Sequence, residues 1–130
     1  MKQPDLRWTL QRVKHELLPQ LDPNAAAWDR ARWLKLGMIL HHQGEGDDEW
    51  LELWDHWSAQ DERVKDDGEP MYKPGLCEKE WESFGRTTNV ATIGTLVMWV
   101  IRHTVIMTLY WFWLNGASVI ASSSSFAMRV

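Results

Sequence analysis

The sequence predicts an all-α fold, a small bundle of four to five helices with a central helical hairpin and a hydrophobic C-terminal tail. Three observations carry that reading. Apolar residues recur at spacings of three and four in several separate segments, the period of a single buried helix face. The stretch from Trp33 to Ser58 sets WLKLGMILHH and EWLELWDHWS on either side of the short break QGEGDD, which reads as helix, turn and helix. From Leu96 to Leu114 the chain is almost wholly apolar.

The first helix is expected from about Asp5 to Pro19, with Asp5 at the end where a carboxylate complements the helix dipole. Leu6, Leu10, Val13 and Leu17 form its buried stripe and leave Arg7, Gln11 and Lys14 in water. QLDPN then ends one helix and begins the next, because Pro19 and Pro23 cannot occupy a helix interior while Asp22 and Asn24 favour turns. A second helix is expected from about Ala25 to His42, with Trp33, Leu36, Gly37 and Leu40 on one face and Leu34 and Met38 beside it. Glycine inside a helix costs about 1 kcal/mol relative to alanine, so Gly37 on the apolar face reads as room for another helix or an aromatic ring.

His41 and His42 close that helix, Gly44 and Gly46 end it, and Asp47, Asp48 and Glu49 open the third. Both termini then complement the dipole. Trp50, Leu53, Trp54 and Trp57 make a continuous aromatic face, with Glu52, Asp55 and His56 turned away from it. The segment Ala59–Pro74, polar and punctuated by Gly68, Pro70 and Pro74, reads as a solvated, mobile loop outside the bundle. A shorter fourth helix, GLCEKEWESF, directs Leu76, Cys77, Trp81 and Phe84 to the core. GRTTN breaks it, and Thr92 is placed to cap a fifth helix beginning IGTLVMWVIRH.

At 130 residues the chain is sized for one domain. Its net charge of −4 is unevenly spread. Residues 1–44 carry seven Lys/Arg against four acids, and residues 45–90 carry five against fourteen. Cys77 is the single cysteine, so no internal disulfide is possible. The start MKQPDLRW lacks the apolar stretch of a signal peptide, and a cytoplasmic protein is the expectation.

Ten tryptophans set the main chemical question. Aromatic side chains can stack on nucleic-acid bases, but Trp33, Trp50, Trp54, Trp57 and Trp81, with Gly37, Leu40 and Phe84, lie on periodic faces and read as core. Trp8 and Trp28 lie off those stripes and are the candidates for exposed stacking. Arg7, Arg12, Lys14, Arg30, Arg32 and Lys35 form a basic face on the first two helices. It reads either as a phosphate-contacting surface or as an ordinary solvated one. His41 and His42 point about 100° apart on a helix, and no CxxC or HExxH spacing occurs, so no metal site and no cofactor are expected. Asp47/Asp48 and Asp66/Asp67 read as helix-start and loop charges, and no catalytic residue stands out.

Several motifs together carry a resemblance. Trp33 to His42, the run Leu53-Trp54-Asp55-His56-Trp57-Ser58, Cys77 with Lys79, Trp81, Ser83 and Phe84, and Thr92-Ile93-Gly94-Thr95-Leu96 resemble, in order and spacing, the primase C-terminal domain of the second type. The resemblance covers about Leu6 to Trp99. It implies a small helical module of phage and plasmid replication proteins, found between a primase-polymerase domain and a helicase or nucleotide-hydrolysing domain. Primase or helicase domains, other replication proteins and single-stranded DNA are the partners it implies. Neither a primase metal-binding carboxylate motif nor GxxxxGK[ST] occurs here, so a non-catalytic accessory domain, not an enzyme, is expected. The alternative is a free-standing interaction protein, a prophage remnant that binds a protein partner through its tail.

The division expected is a helical domain over residues 1–103 and a hydrophobic, serine-rich tail over 104–130. Leu96–Leu114 approaches the length of a membrane span, yet Arg102 and His103 stand in its middle, and a central arginine costs about 2.5–3.5 kcal/mol. A helix buried in the chain or covered by a partner therefore ranks first and a membrane-attached segment second. Left exposed, the tail would be an oligomer interface.

Overall fold

Helix formation begins where a side-chain oxygen can cap it. In a computed structural model of the protein, which describes residues 3–85 and 91–129 and side chains as far as Asn115, the Thr9 hydroxyl accepts from the Arg12 amide and opens α1, Leu10–Arg12. The expected start at Asp5 is corrected. Asp5 instead closes a turn, its carbonyl accepting from the Trp8 amide and its carboxylate from the Arg7 amide. Leu6, outside the helix, is 88% exposed and drops out of the buried stripe.

The helix then widens into a π-helical stretch, Val13–Leu17, and tightens into a 3₁₀ turn, Leu18–Gln20. The wide turn falls just before Pro19, which has no N–H to donate and no room for an ordinary helical carbonyl behind it. It also turns both Leu17 and Leu18 inward, next to Val13 and Leu21.

The second helix, α2, is Arg30–Gln43, with Asp29 accepting from the Arg32 amide at its N-cap. Its start is five residues later than expected, because Asp29 supplies the cap while residues 22–28 are taken up by turns. After Gly44, Glu45 and Gly46 adopt left-handed φ values of 53° and 80° and reverse the chain into α3, Asp48–Ser58. The fourth helix, α4, is Leu76–Phe84, and α5 is Ile93–Arg129. Thr92 directly precedes α5, its carbonyl accepting from the Thr95 amide at 2.9 Å. Most of the GRTTN break lies outside the described residues.

The α2–α3 hairpin is the centre, as its aromatic spacing implies. Helix α2 packs on α3, α4 and α5, and α3 packs on α4. Trp50, Trp54, Trp57, Trp81, Phe84 and Leu40 are buried there. Trp33 is half-buried and stacks on Trp54 at 4.6 Å. Gly44 leaves room for the Trp50 indole in the way Gly37 does for Trp54.

Two clasps have no local sequence signature. The buried Gln43 amide donates to the carbonyls of Asp5 and Trp8 at 2.6 and 2.9 Å and accepts from the Asp5 amide, tying the N-terminal segment to the end of α2. Arg63 donates to the carbonyls of Ala25 and Trp28 and pairs with Asp61. Residues 59–74 are therefore a built loop, not a free one. The loop folds on itself through a Val64–Pro70 bridge and is pinned to the bundle by Arg63.

Helix α5 runs unbroken across residue 103. Ile93, Leu96 and Val100 are buried, but every residue from Ile101 to Asn115 is exposed, so the body leaves this stretch of the helix uncovered. Among the described residues one helix, Ile93–Asn115, is long and apolar enough to cross a membrane.

Candidate nucleic-acid interface

An antiparallel hairpin places the first turn of α2 beside the last turn of α3. There the Trp33 indole donates to the Ser58 hydroxyl at 2.8 Å and the Trp57 indole donates to the Leu21 carbonyl at 3.1 Å. The 59–74 loop closes over this end of the hairpin. The result is a cleft of about 330 Å³, at the small end of the range of ligand sites. Trp28 and Trp57, both buried, form its floor with the half-buried Trp33, while Arg30, Lys65 and Tyr72 stand along its walls.

The cations around the cleft differ in how firmly they are held. Arg63 is committed to Asp61 and two carbonyls, and the hydrogen bond it donates to the Asp61 carboxylate raises its pKa further. Arg30 pairs with the half-buried Glu80 at 2.9 Å while its own side chain is exposed, so water and other anions can reach the guanidinium. Lys65 makes no ion pair among the described residues and is exposed. The Tyr72 hydroxyl donates to the Asp55 carboxylate at 2.8 Å. Burial first, and that bond second, push its pKa up to about 12, so it stays a neutral donor.

The six cations of the expected basic face do not converge. The N-terminal helical segment packs on α5, while α2 packs on α3 and α4 as well, so the two basic helices do not lie side by side. Arg7 is fixed to Asp5, whose carboxyl it holds down to about 2, and Arg12 is fixed to Glu16. Arg32 lies over the rings of Trp28 and Trp99, at 4.9 and 4.6 Å, with its Nε buried. Only Arg30 of the six reaches the cleft; Lys14 and Lys35 are exposed elsewhere.

Trp28 is corrected as an exposed stacking residue. It is 5% exposed, because the turn before Asp29 directs it inward, edge-on to Trp57 at 4.7 Å and to Trp99 at 5.7 Å. Trp8 is half-buried, with the Arg12 guanidinium 4.2 Å from the centre of its ring. Trp33, read from its spacing as core, is the tryptophan that both stacks inside and borders the cleft. Lys65 and Tyr72 carried no signal beyond their place in a polar loop.

Among the described residues no three His, Cys, Asp or Glu side chains gather closely enough to hold a metal ion. His41 instead packs against Trp81 and Phe84 at 4.8 and 5.9 Å. Cys77 is buried, and that burial pushes its thiol pKa up to about 12.

Comparison with curated proteins and with solved structures gives no match. The profile of one family does match, over residues 14–100, which takes in the helical body from the π-helical turn to the buried start of α5. That family is found in primase and replication proteins. The chain belongs to the primase C terminal 2 (PriCT-2) family.

Proposed function

We propose that this chain is a non-catalytic accessory module of DNA-replication proteins of the primase type, working in the cytoplasm of a bacterial or phage-infected cell. In this reading it holds single-stranded DNA at the cleft between α2, α3 and the 59–74 loop. The observation that carries the reading is the Trp33 indole, half-buried at the cleft with Arg30 and Lys65 beside it. A base laid against such a ring gains about 1–3 kcal/mol, and nearby cations take the flanking phosphates. Tyr72, its proton committed to Asp55, offers its hydroxyl oxygen as an acceptor for a base amino group or a sugar hydroxyl. The other tryptophans serve as scaffold, and the partner that supplies catalysis is a primase or helicase domain.

Fluorescence anisotropy of a labelled single-stranded oligonucleotide, titrated at several salt concentrations, tests this. Binding is expected at low salt and is expected to weaken as salt rises. Lys65→Glu and Arg30→Glu each weaken it by about fivefold or more, Trp33→Ala removes the stacking share, and Lys35→Glu, away from the cleft, has the smaller effect. Circular dichroism checks that each variant is folded. No binding of the wild-type chain at low salt rejects the reading, as does equal loss from Lys35→Glu and Lys65→Glu.

A further inference from the structure

The surroundings of α5 change abruptly at one residue. Ile93, Leu96 and Val100, spaced by three and four, are the buried stripe of a helix packed on one side. One residue later the stripe ends. From Leu109 to Leu114 six successive residues, LYWFWL, are all exposed. At about 100° per residue, six in a row cover the whole circumference of a helix. A core helix of the same length and hydropathy is mostly buried, whereas only 17% of the most apolar window of Ile93–Asn115 is.

A second copy of the chain or a partner helix covers a stripe and leaves the rest of such a surface in water. An apolar surroundings on every side covers all of it. The polar residues of the segment fit that solvent as well. The Thr104 hydroxyl donates to the Val100 carbonyl at 3.0 Å, and the Asn115 amide gives one N–H to the Trp111 carbonyl at 2.9 Å, so these two polar side chains bond back to their own helix. Arg102 is not at the centre of the uncharged run. Between His103 and Arg129 lie 25 residues without a charged side chain. As a helix they extend about 37 Å, more than the roughly 30 Å of a bilayer's hydrocarbon core.

We propose that α5 beyond Val100 inserts into a lipid bilayer, with Arg102 and His103 at headgroup level and the helical body held against the membrane surface. The occupant of the exposed apolar surface is the hydrocarbon core, and anionic headgroups are not required. This proposal stands apart from the DNA reading of the cleft.

The test is flotation of the full-length chain with vesicles of phosphatidylcholine alone, followed by washes at high salt and at alkaline pH. The wild-type chain is expected to float and to survive both washes. The double variant Leu109→Arg/Trp113→Arg alters two exposed side chains of α5 that lie outside the pocket this helix forms with Gln20. It is expected to keep the body's helical signal and to lose about tenfold or more of the vesicle-bound fraction. Three outcomes overturn the proposal: a wild-type chain that stays in solution as a discrete oligomer in the presence of vesicles, release by the washes, or equal flotation of the double variant.

Discussion

The Trp54 indole occupies the space that a side chain at Gly37 would fill. A Cβ built on Gly37 comes within 2.5 Å of Trp54 Cζ2, and two further ring carbons lie at 2.6 and 2.8 Å. Trp54 is fully buried and touches Trp33, Trp81 and Phe84, so the ring has nowhere to retreat. Gly37→Ala is therefore expected to destabilise the chain by about 1–3 kcal/mol, despite alanine's better helix propensity. Chemical denaturation measures it; a neutral or stabilising result would show that α2 and α3 can move apart at no cost.

Gln43→Leu keeps the bulk of the side chain and removes its hydrogen bonds to the Asp5 and Trp8 backbone. Leaving those groups unpaired is expected to cost about 1–3 kcal/mol and to raise amide exchange in residues 5–12 before the rest of the chain. Hydrogen exchange resolved by residue distinguishes this from uniform destabilisation.

Arg63→Met should free the 59–74 loop from the carbonyls of Ala25 and Trp28 while the helices stay formed. Limited proteolysis is the readout. Cleavage between Val64 and Pro70 is expected to become several-fold faster in the variant, and an unchanged rate would mean that the loop is held by something other than Arg63.

The pH dependence has two limbs. Burial against Trp81 and Phe84, with the neighbouring His42 second, lowers the pKa of His41 below its ordinary 6.5. The unfolded chain therefore takes up this proton first, and stability falls as pH drops below about 6.5. Cys77, raised from 9.0 to about 12 by burial, and Tyr72, raised from 10.0 to about 12, bind protons more tightly when folded. Their contribution is complete below about pH 9 and declines as pH climbs toward about 12. Melting temperature against pH should show both declines, and His41→Gln should flatten the acidic one. Cys77 should resist alkylation until the chain unfolds.

The hairpin was legible because its signal is local. Trp50, Leu53, Trp54 and Trp57 repeat at the helical period, and Gly37 falls on the face that meets them. Helix starts were less legible, since several oxygens compete to cap and only the folded chain selects Thr9 over Asp5, or delays the second helix from Ala25 to the cap at Asp29. Trp28 was misread because its burial depends on Trp57 and Trp99, far away in sequence. Gln43 and Arg63 bind backbone carbonyls, which every residue possesses, so no pattern of residue types could announce them. The cleft shares that difficulty, as its walls come from two helices and a loop.

Trp28 belongs to two structures at once. Its ring floors the cleft and meets Trp99 on α5, with the Arg32 guanidinium against both. Helix α5 is continuous from that contact outward, so the floor of the cleft and the root of the apolar helix share one aromatic joint, and the packing of either is set in part by the other.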